Sequence, residues 1–271
     1  MLRTNGLTKQ FGGIMATDDV DFELGDELTS LIGPNGAGKT TFFNLLTGSL
    51  EPTSGTVELR RDDKWIDITN NDPQETAQLG VHRSYQITNI FPTSTVRENV
   101  RIAAQAKGDN AMRLWRNVNV FEEHIAQAEQ ILDRVGLAEK GNLVAENLSH
   151  GEKRRLEVAI ALAGDPDVLL LDEPNAGVSA QDIDDIKALI KDVATDHAVL
   201  LVEHNMDIVM DVSERVVVLN QGKIIADDDP ENIRGDPDVQ EAYLGGYEAG
   251  ALRDRDSGGV ETTESTDGGT A

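Results

Sequence analysis

ELTSLIGPNGAGKTT, residues 27–41, decides the fold. Its first half alternates into a short apolar strand. Gly33, Gly38, Lys39 and Thr40 then fit the phosphate-loop spacing GxxxxGK[ST], and the apolar run after them predicts a helix from near Gly38 to Gly48. Average residue usage would produce that spacing by chance in roughly one chain in a hundred of this length, and its position between a strand and a helix makes chance rarer still. Glycines let backbone N–H groups curl around phosphates, and the helix N-terminus adds positive potential. Lys39 is placed for the β and γ phosphates and Thr40 for Mg²⁺, so the stretch Gly33, Pro34, Asn35, Gly36, Ala37, Gly38, Lys39, Thr40, Thr41 reads as an ATP cradle.

Outward from it, LRTNGL and VDFEL precede the loop as strands, and GTVELRR with WIDIT follow it as further strands. From about Thr95 to Ser149 the pattern is helical, with Ile125, Ala128, Leu132 and Val135 on one stripe and Gly136 as the helix stop. Helix and strand then alternate: a helix to Ala163, VLLLD, a helix from about Ala180 to Ala194, AVLLVE, and a helix after His204. Apolar strands alternating with helices imply a parallel sheet. RVVVLN and KIIADD predict a hairpin, and DPDVQEAYLGGY a short helix.

VLLLDEP, residues 168–174, delivers two carboxylates at a strand's C-terminal end, where open α/β sheets bind ligands. Asp172 suits Mg²⁺, and Glu173 suits a water that must be oriented or deprotonated for in-line phosphoryl transfer. LSHGE, residues 148–152, opens a helix with the cap-forming Ser149; alone it is an ordinary helix start. The order phosphate loop, Gln86, LSHGE, VLLLDEP, His204 is what resembles the ABC ATPase family, and the resemblance covers residues 1 to about 247.

The resemblance implies an α/β P-loop (RecA-like) core with an antiparallel β subdomain and an inserted helical subdomain. Residues 1–93 and 150–247 would form the core, 94–149 the helical subdomain, and 248–271 a disordered acidic tail. It also implies that Phe11 stacks on adenine, that Gln86 senses Mg²⁺ and the attacking water, and that His204 contacts the γ-phosphate. Ser149, His150, Gly151 and Glu152 would act on the ATP of a partner cassette, so two chains close head to tail. Three departures stand out: Glu152 where glutamine is common, Ser179 where aspartate or asparagine is usual, and Ile160 where arginine is frequent. FGGIMATDDVDFEL, YQITNIFPTSTVRENV and DPDVQEAYLGG look like the branch that energises branched-chain amino acid importers. That branch implies a second, related but different ATPase subunit, with a homodimer as the alternative, together with membrane permeases and, indirectly, a substrate-binding protein. Urea or amide uptake and lipid or polysaccharide export are the rival transport readings. A DNA-repair or translation ATPase would be expected to carry tandem cassettes or a long coiled coil, whereas this chain has one cassette and no sustained heptads.

Composition bounds the rest. The 271 residues, 39% of them apolar, suffice for a substantial core, and no apolar run approaches the length of a spanning helix. The N-terminus lacks a basic region followed by an apolar core, and cysteine is absent, which excludes disulfide scaffolds and thiolate metal sites. The expectation is a peripheral protein on the cytoplasmic face of the membrane. Net charge is −25, and only −4 of it lies in residues 248–271. Such self-repulsion is tolerable where molar salt shrinks the Debye length to about 3 Å, which suggests a salt-rich cytoplasm. The same charge argues against nucleic acid as a partner.

Overall fold

In the computed structural model, residues 1–84, 90–106, 118–179 and 182–243 are described, without the side chains of 118–121. Two sheets form. In the first, β1 (Leu2–Phe11), β2 (Ile14–Leu24), β4 (Ser54–Arg61) and β5 (Lys64–Asp67) are antiparallel in the order β2-β1-β4-β5. In the second, the order is β10-β9-β3-β8-β7-β6. There β3 (Thr29–Ile32), β6 (Val81–Ser84), β7 (Val168–Asp172), β8 (Ala198–Val202) and β9 (Arg215–Asn220) are parallel, and β10 (Lys223–Asp228) closes the far edge antiparallel to β9.

The parallel strands are apolar throughout because both faces are covered. Val168 and Leu170 point into a core shared with α1 (Lys39–Leu46) and the antiparallel sheet, where Phe22 and Phe42 meet edge to face at 5.5 Å. Leu169 and Leu171 point the other way, into a core built with α3 (Val96–Ala106), α4 (Val118–Arg134), α5 (His150–Ala163) and α6 (Ile183–Val193). The stripe Ala128, Leu132, Val135 is buried there, and Gly136 adopts φ 69° just after α4. A third, smaller core packs α7 (Met206–Val212), α8 (Pro230–Gly235) and Tyr243 against Ile32, Val216 and Val218.

Several elements differ from the sequence expectation. β1 and β2 extend well beyond LRTNGL and VDFEL, because they pair with each other through a two-residue turn. α2 (Pro73–Gln78) was not expected; Asp72, Pro73 and Glu75 start it with a reciprocal capping box. α8 begins on an Asp229 cap, which accepts from the Asn232 N–H, followed by Pro230, without the reciprocal bond. β6 is only four residues long and sits at the sheet edge beside β7. Among the described residues no helix is long and apolar enough to cross a membrane.

Candidate nucleotide site

β3 delivers the phosphate loop to the C-terminal edge of the parallel sheet, and α1 starts at Lys39. Two glycines are required by geometry there. Gly33 (φ 153°) and Gly38 (φ 108°) occupy backbone conformations that side chains avoid, and a Cβ would lie 2.0 Å from the Leu219 carbonyl or 2.1 Å from the Ala16 carbonyl. Lys39 is 7% exposed, and its ammonium donates to the Gly33 and Pro34 carbonyls at 2.6 and 3.1 Å. Burial pushes the lysine pKa below its ordinary value, opposed by Glu173 and then Asp172. A cation so poorly hydrated, held by neutral carbonyls and facing two carboxylates, is ready to take phosphate oxygens instead.

Asn35–Thr41 line an open cleft of about 310 Å³ together with Ile14, Met15, Ala16, Glu173, Val202 and His204. Glu173 follows the last residue of β7 with φ 48°, a strained value costing about 1–3 kcal/mol that clusters at functional sites. Its N–H donates to the Val202 carbonyl at 2.9 Å, and its carboxylate is hydrogen-bonded to His204 Nε2. Asp172 is 7% exposed and lies behind the lining, close enough for its charge to act on Lys39. The exposed Thr40 hydroxyl and the Asp172 carboxylate are hard oxygen donors, the chemistry that a Mg²⁺ ion takes together with phosphate oxygens.

Other expected residues lie elsewhere. Phe11, the last residue of β1, is 47% exposed and does not line the cleft; Ile14, its partner across the turn, and Met15, the partner of Gln10, do. Ser149, His150, Gly151 and Glu152 form the start of α5 and contribute nothing to the cleft lining. Gln86 lies outside the described residues. Of the departures, Glu152 is ion-paired with Lys140, Ser179 donates to Asp182 at 2.6 Å, and Ile160 packs against the helical core.

Three charged residues that bond to the expected ones were not anticipated. Glu203, buried at the end of β8, accepts from the Asn175 backbone and side chain at 3.1 and 3.0 Å and from the His204 N–H at 3.2 Å. It thereby ties the turn after Glu173 to His204. The signal was present, since AVLLVE ends on a carboxylate as VLLLDE does. Arg83 and Lys140 had no such signal: each finds its carboxylate only through the fold.

These observations meet a consistent set of relatives. The family profile described as "ABC transporter" matches residues 17–176, and one described as "Branched-chain amino acid ATP-binding cassette transporter" matches residues 223–249. The high-affinity branched-chain amino acid transport ATP-binding protein LivG of Escherichia coli (strain K12) is 41% identical over 253 residues, 90% of this chain and 98% of that protein. Among solved structures, the ADP conformation of MJ1267, an ATP-binding cassette of an ABC transporter, is 31% identical with a TM-score of 0.78, covering 90% of this chain and 98% of its own. The dimeric post-hydrolysis state of the cassette MJ0796, bound to ADP and Pi, is 26% identical with a TM-score of 0.70, covering 85% of this chain and 99% of its own. The chain belongs to the ABC transporter family, as an ATP-binding, ATP-hydrolysing cassette.

Proposed function

We propose that this chain energises the import of branched-chain amino acids. ATP would close two cassettes around nucleotide beneath membrane permeases, and hydrolysis would reopen them. The observation that carries the reading is that Lys39, Glu173 and His204 converge on one cleft while Ser149–Glu152, a second phosphate-type helix start, stays outside its lining. A site missing that half is completed by another cassette, and the dimeric MJ0796 structure supports such a pairing. The cargo is inferred from kinship, through LivG and the profile match at residues 223–249.

In this reading the phosphate-loop N–H groups and Lys39 bind the β and γ phosphates. Thr40 and Asp172 would hold a Mg²⁺ ion, with Gln86 completing its surroundings, and the ion would supply positive charge to the phosphate groups. Glu173 aligns the attacking water and accepts its proton. His204 orients the Glu173 carboxylate and faces the γ-phosphate. Phe11, with Ile14 and Met15, offers an apolar edge to adenine. Residues 94–149 act as the helical subdomain that carries Ser149, His150, Gly151 and Glu152 to the ATP of the partner cassette, whether a second copy or a related ATPase. A groove of about 260 Å³ between β6, α3 and α5, lined by His82, Ala103, Ala106, Glu157, Ile160 and Gly164, suits a permease segment. In this reading the chain sits on the cytoplasmic face of the membrane and serves a substrate-binding protein only indirectly. Its acidity fits a salt-rich, halophilic cytoplasm.

The test is ATP turnover in molar KCl with Mg²⁺, for the wild type and Glu173→Gln, with the ATP-dependent dimer fraction measured alongside. The expected result is a variant without turnover that accumulates as an ATP-bound dimer; an active variant would overturn the role of Glu173. Reconstitution with the permeases and binding protein then tests cargo, since leucine uptake supports the reading and uptake of urea alone defeats it.

A further inference from the structure

Arg83 is almost fully buried, its side chain 7% exposed, and it joins three elements around Asp172. One guanidinium nitrogen donates to Asp172 Oδ2 at 2.5 Å and another to Asn44 Oδ1 at 2.6 Å, with the plane 5.4 Å from the Phe43 ring centroid. Asn44 and Phe43 belong to α1, the helix that begins at the phosphate loop; Asp172 ends β7; Arg83 sits one residue from the end of β6. The neighbouring Ser84 Oγ accepts from the Asp172 N–H at 3.4 Å, so β6 holds the aspartate by both backbone and side chain.

Burying an ion pair is poor value for stability, because desolvation consumes most of the attraction; an apolar pair of similar volume would serve as well. A planar guanidinium fixed by a second acceptor and an aromatic face does something an apolar pair does not: it sets the orientation of a carboxylate. Because Arg83 fixes Oδ2, it also fixes the direction in which Oδ1 faces.

We propose that Arg83 is the positioning residue for Asp172: it holds Oδ2 so that Oδ1 is presented to the Mg²⁺ of bound nucleotide, and it links that metal position to β6 and to α1. This rests on the reading of Asp172 as a Mg²⁺ residue. Partners that orient a metal ligand in this way typically change metal affinity by about 10–100-fold when removed. Arg83 touches neither ATP nor water in this scheme; it acts through Asp172.

The experiment measures equilibrium binding of a fluorescent ATP analogue to the full chain in molar KCl, first in EDTA and then through a Mg²⁺ titration. Wild type, Arg83→Met, Arg83→Lys and Asp172→Asn are compared. Arg83→Met is expected to bind the metal-free analogue as wild type does, which also reports a folded site, but to need about tenfold more Mg²⁺ or above for the metal-dependent gain. Arg83→Lys keeps the charge but not the fork and should fall between. An unchanged Mg²⁺ titration overturns the proposal, and so does tighter Mg²⁺ binding, which would make Arg83 a competitor of the ion. If Arg83→Met does not fold, Asn44→Leu carries the test, since it strips the guanidinium of its second anchor; a shift in the same direction supports the proposal and no shift overturns it. Asp172→Asn separates the two readings: a normal Mg²⁺ gain in that variant removes the underlying assignment of Asp172, whatever Arg83 does.

Discussion

Two helix starts in this chain, those of α1 and α5, are built in opposite ways. α1 begins at Gly38 with no side-chain cap; its first N–H groups are left for a ligand, and the loop before it is held open by glycines that no other residue could replace. α5 caps itself. Ser149 Oγ accepts from the Glu152 N–H at 3.3 Å, the Glu152 carboxylate accepts from the Ser149 N–H at 2.9 Å, and Lys140 pairs with the same carboxylate. The first helix start has no side-chain cap, whereas the second satisfies its own first-turn N–H groups; the Ser149 hydroxyl only accepts there and keeps its own hydrogen to donate. The difference teaches that the start of α1 leaves its N–H groups to a ligand, while the start of α5 is closed by its own capping box and by Lys140.

The first half of that comparison breaks with the largest effects. Glu173→Gln should lower turnover by about 10²–10⁴-fold, the range for losing a positioned general base, with ATP affinity retained; single-turnover and binding measurements together check both parts. Gly38→Ala should abolish nucleotide binding, because its Cβ would meet the Ala16 carbonyl at 2.1 Å; a binding titration showing wild-type affinity would break the claim of a rigid cradle.

Smaller effects are expected at the self-capped helix α5. Lys140→Glu would leave Glu152 facing a like charge, and the ATP-driven dimer should weaken by about tenfold at low salt and less at high salt, as an exposed pair does. Size-exclusion runs of a Glu173→Gln background over a KCl series read this directly. Ser149→Ala removes the cap and should cost about 1 kcal/mol of stability, measured by chemical denaturation, besides its loss of dimer closure.

The smallest effect is in pH. Burial pushes the Glu152 carboxyl up, but Lys140 and the Ser149 N–H outweigh it and hold the pKa below the ordinary 4.5. Arg101 similarly lowers Glu98, and Arg134 lowers Asp196. A carboxyl whose folded pKa is depressed binds fewer protons than in the unfolded chain, so its contribution is full above the unfolded value and is lost as pH falls through the folded one. Thermal stability should therefore hold from neutral pH to about 5 and decline below that. Glu152→Gln, which keeps the capping geometry without the charge, should narrow its gap to wild type as pH falls; a constant gap would mean that the ion pair contributes nothing.

Much of this was legible without coordinates, for identifiable reasons. The phosphate loop and VLLLDEP are local: spacing within ten residues specifies a strand, a turn and the groups at its tip. Buried strands such as AVLLV also announce themselves, because a strand covered on both faces must be apolar at every position. The misses were non-local or short. That Ile14 and Met15 line the cleft was not anticipated; it follows from how β1 pairs with β2. α2 is six residues long, too short to show a helical period.

The sequence by itself determined the class of chemistry, since glycines, a lysine and strand-ending carboxylates at fixed spacing leave few alternatives to phosphate handling. Only the tertiary structure decided which charges neutralise which: Arg83 reaches Asp172 across 89 positions, and Lys140 answers Glu152 from the preceding turn. Ion pairs of that kind follow from where elements pack, and packing is a property of whole faces rather than of neighbours along the chain.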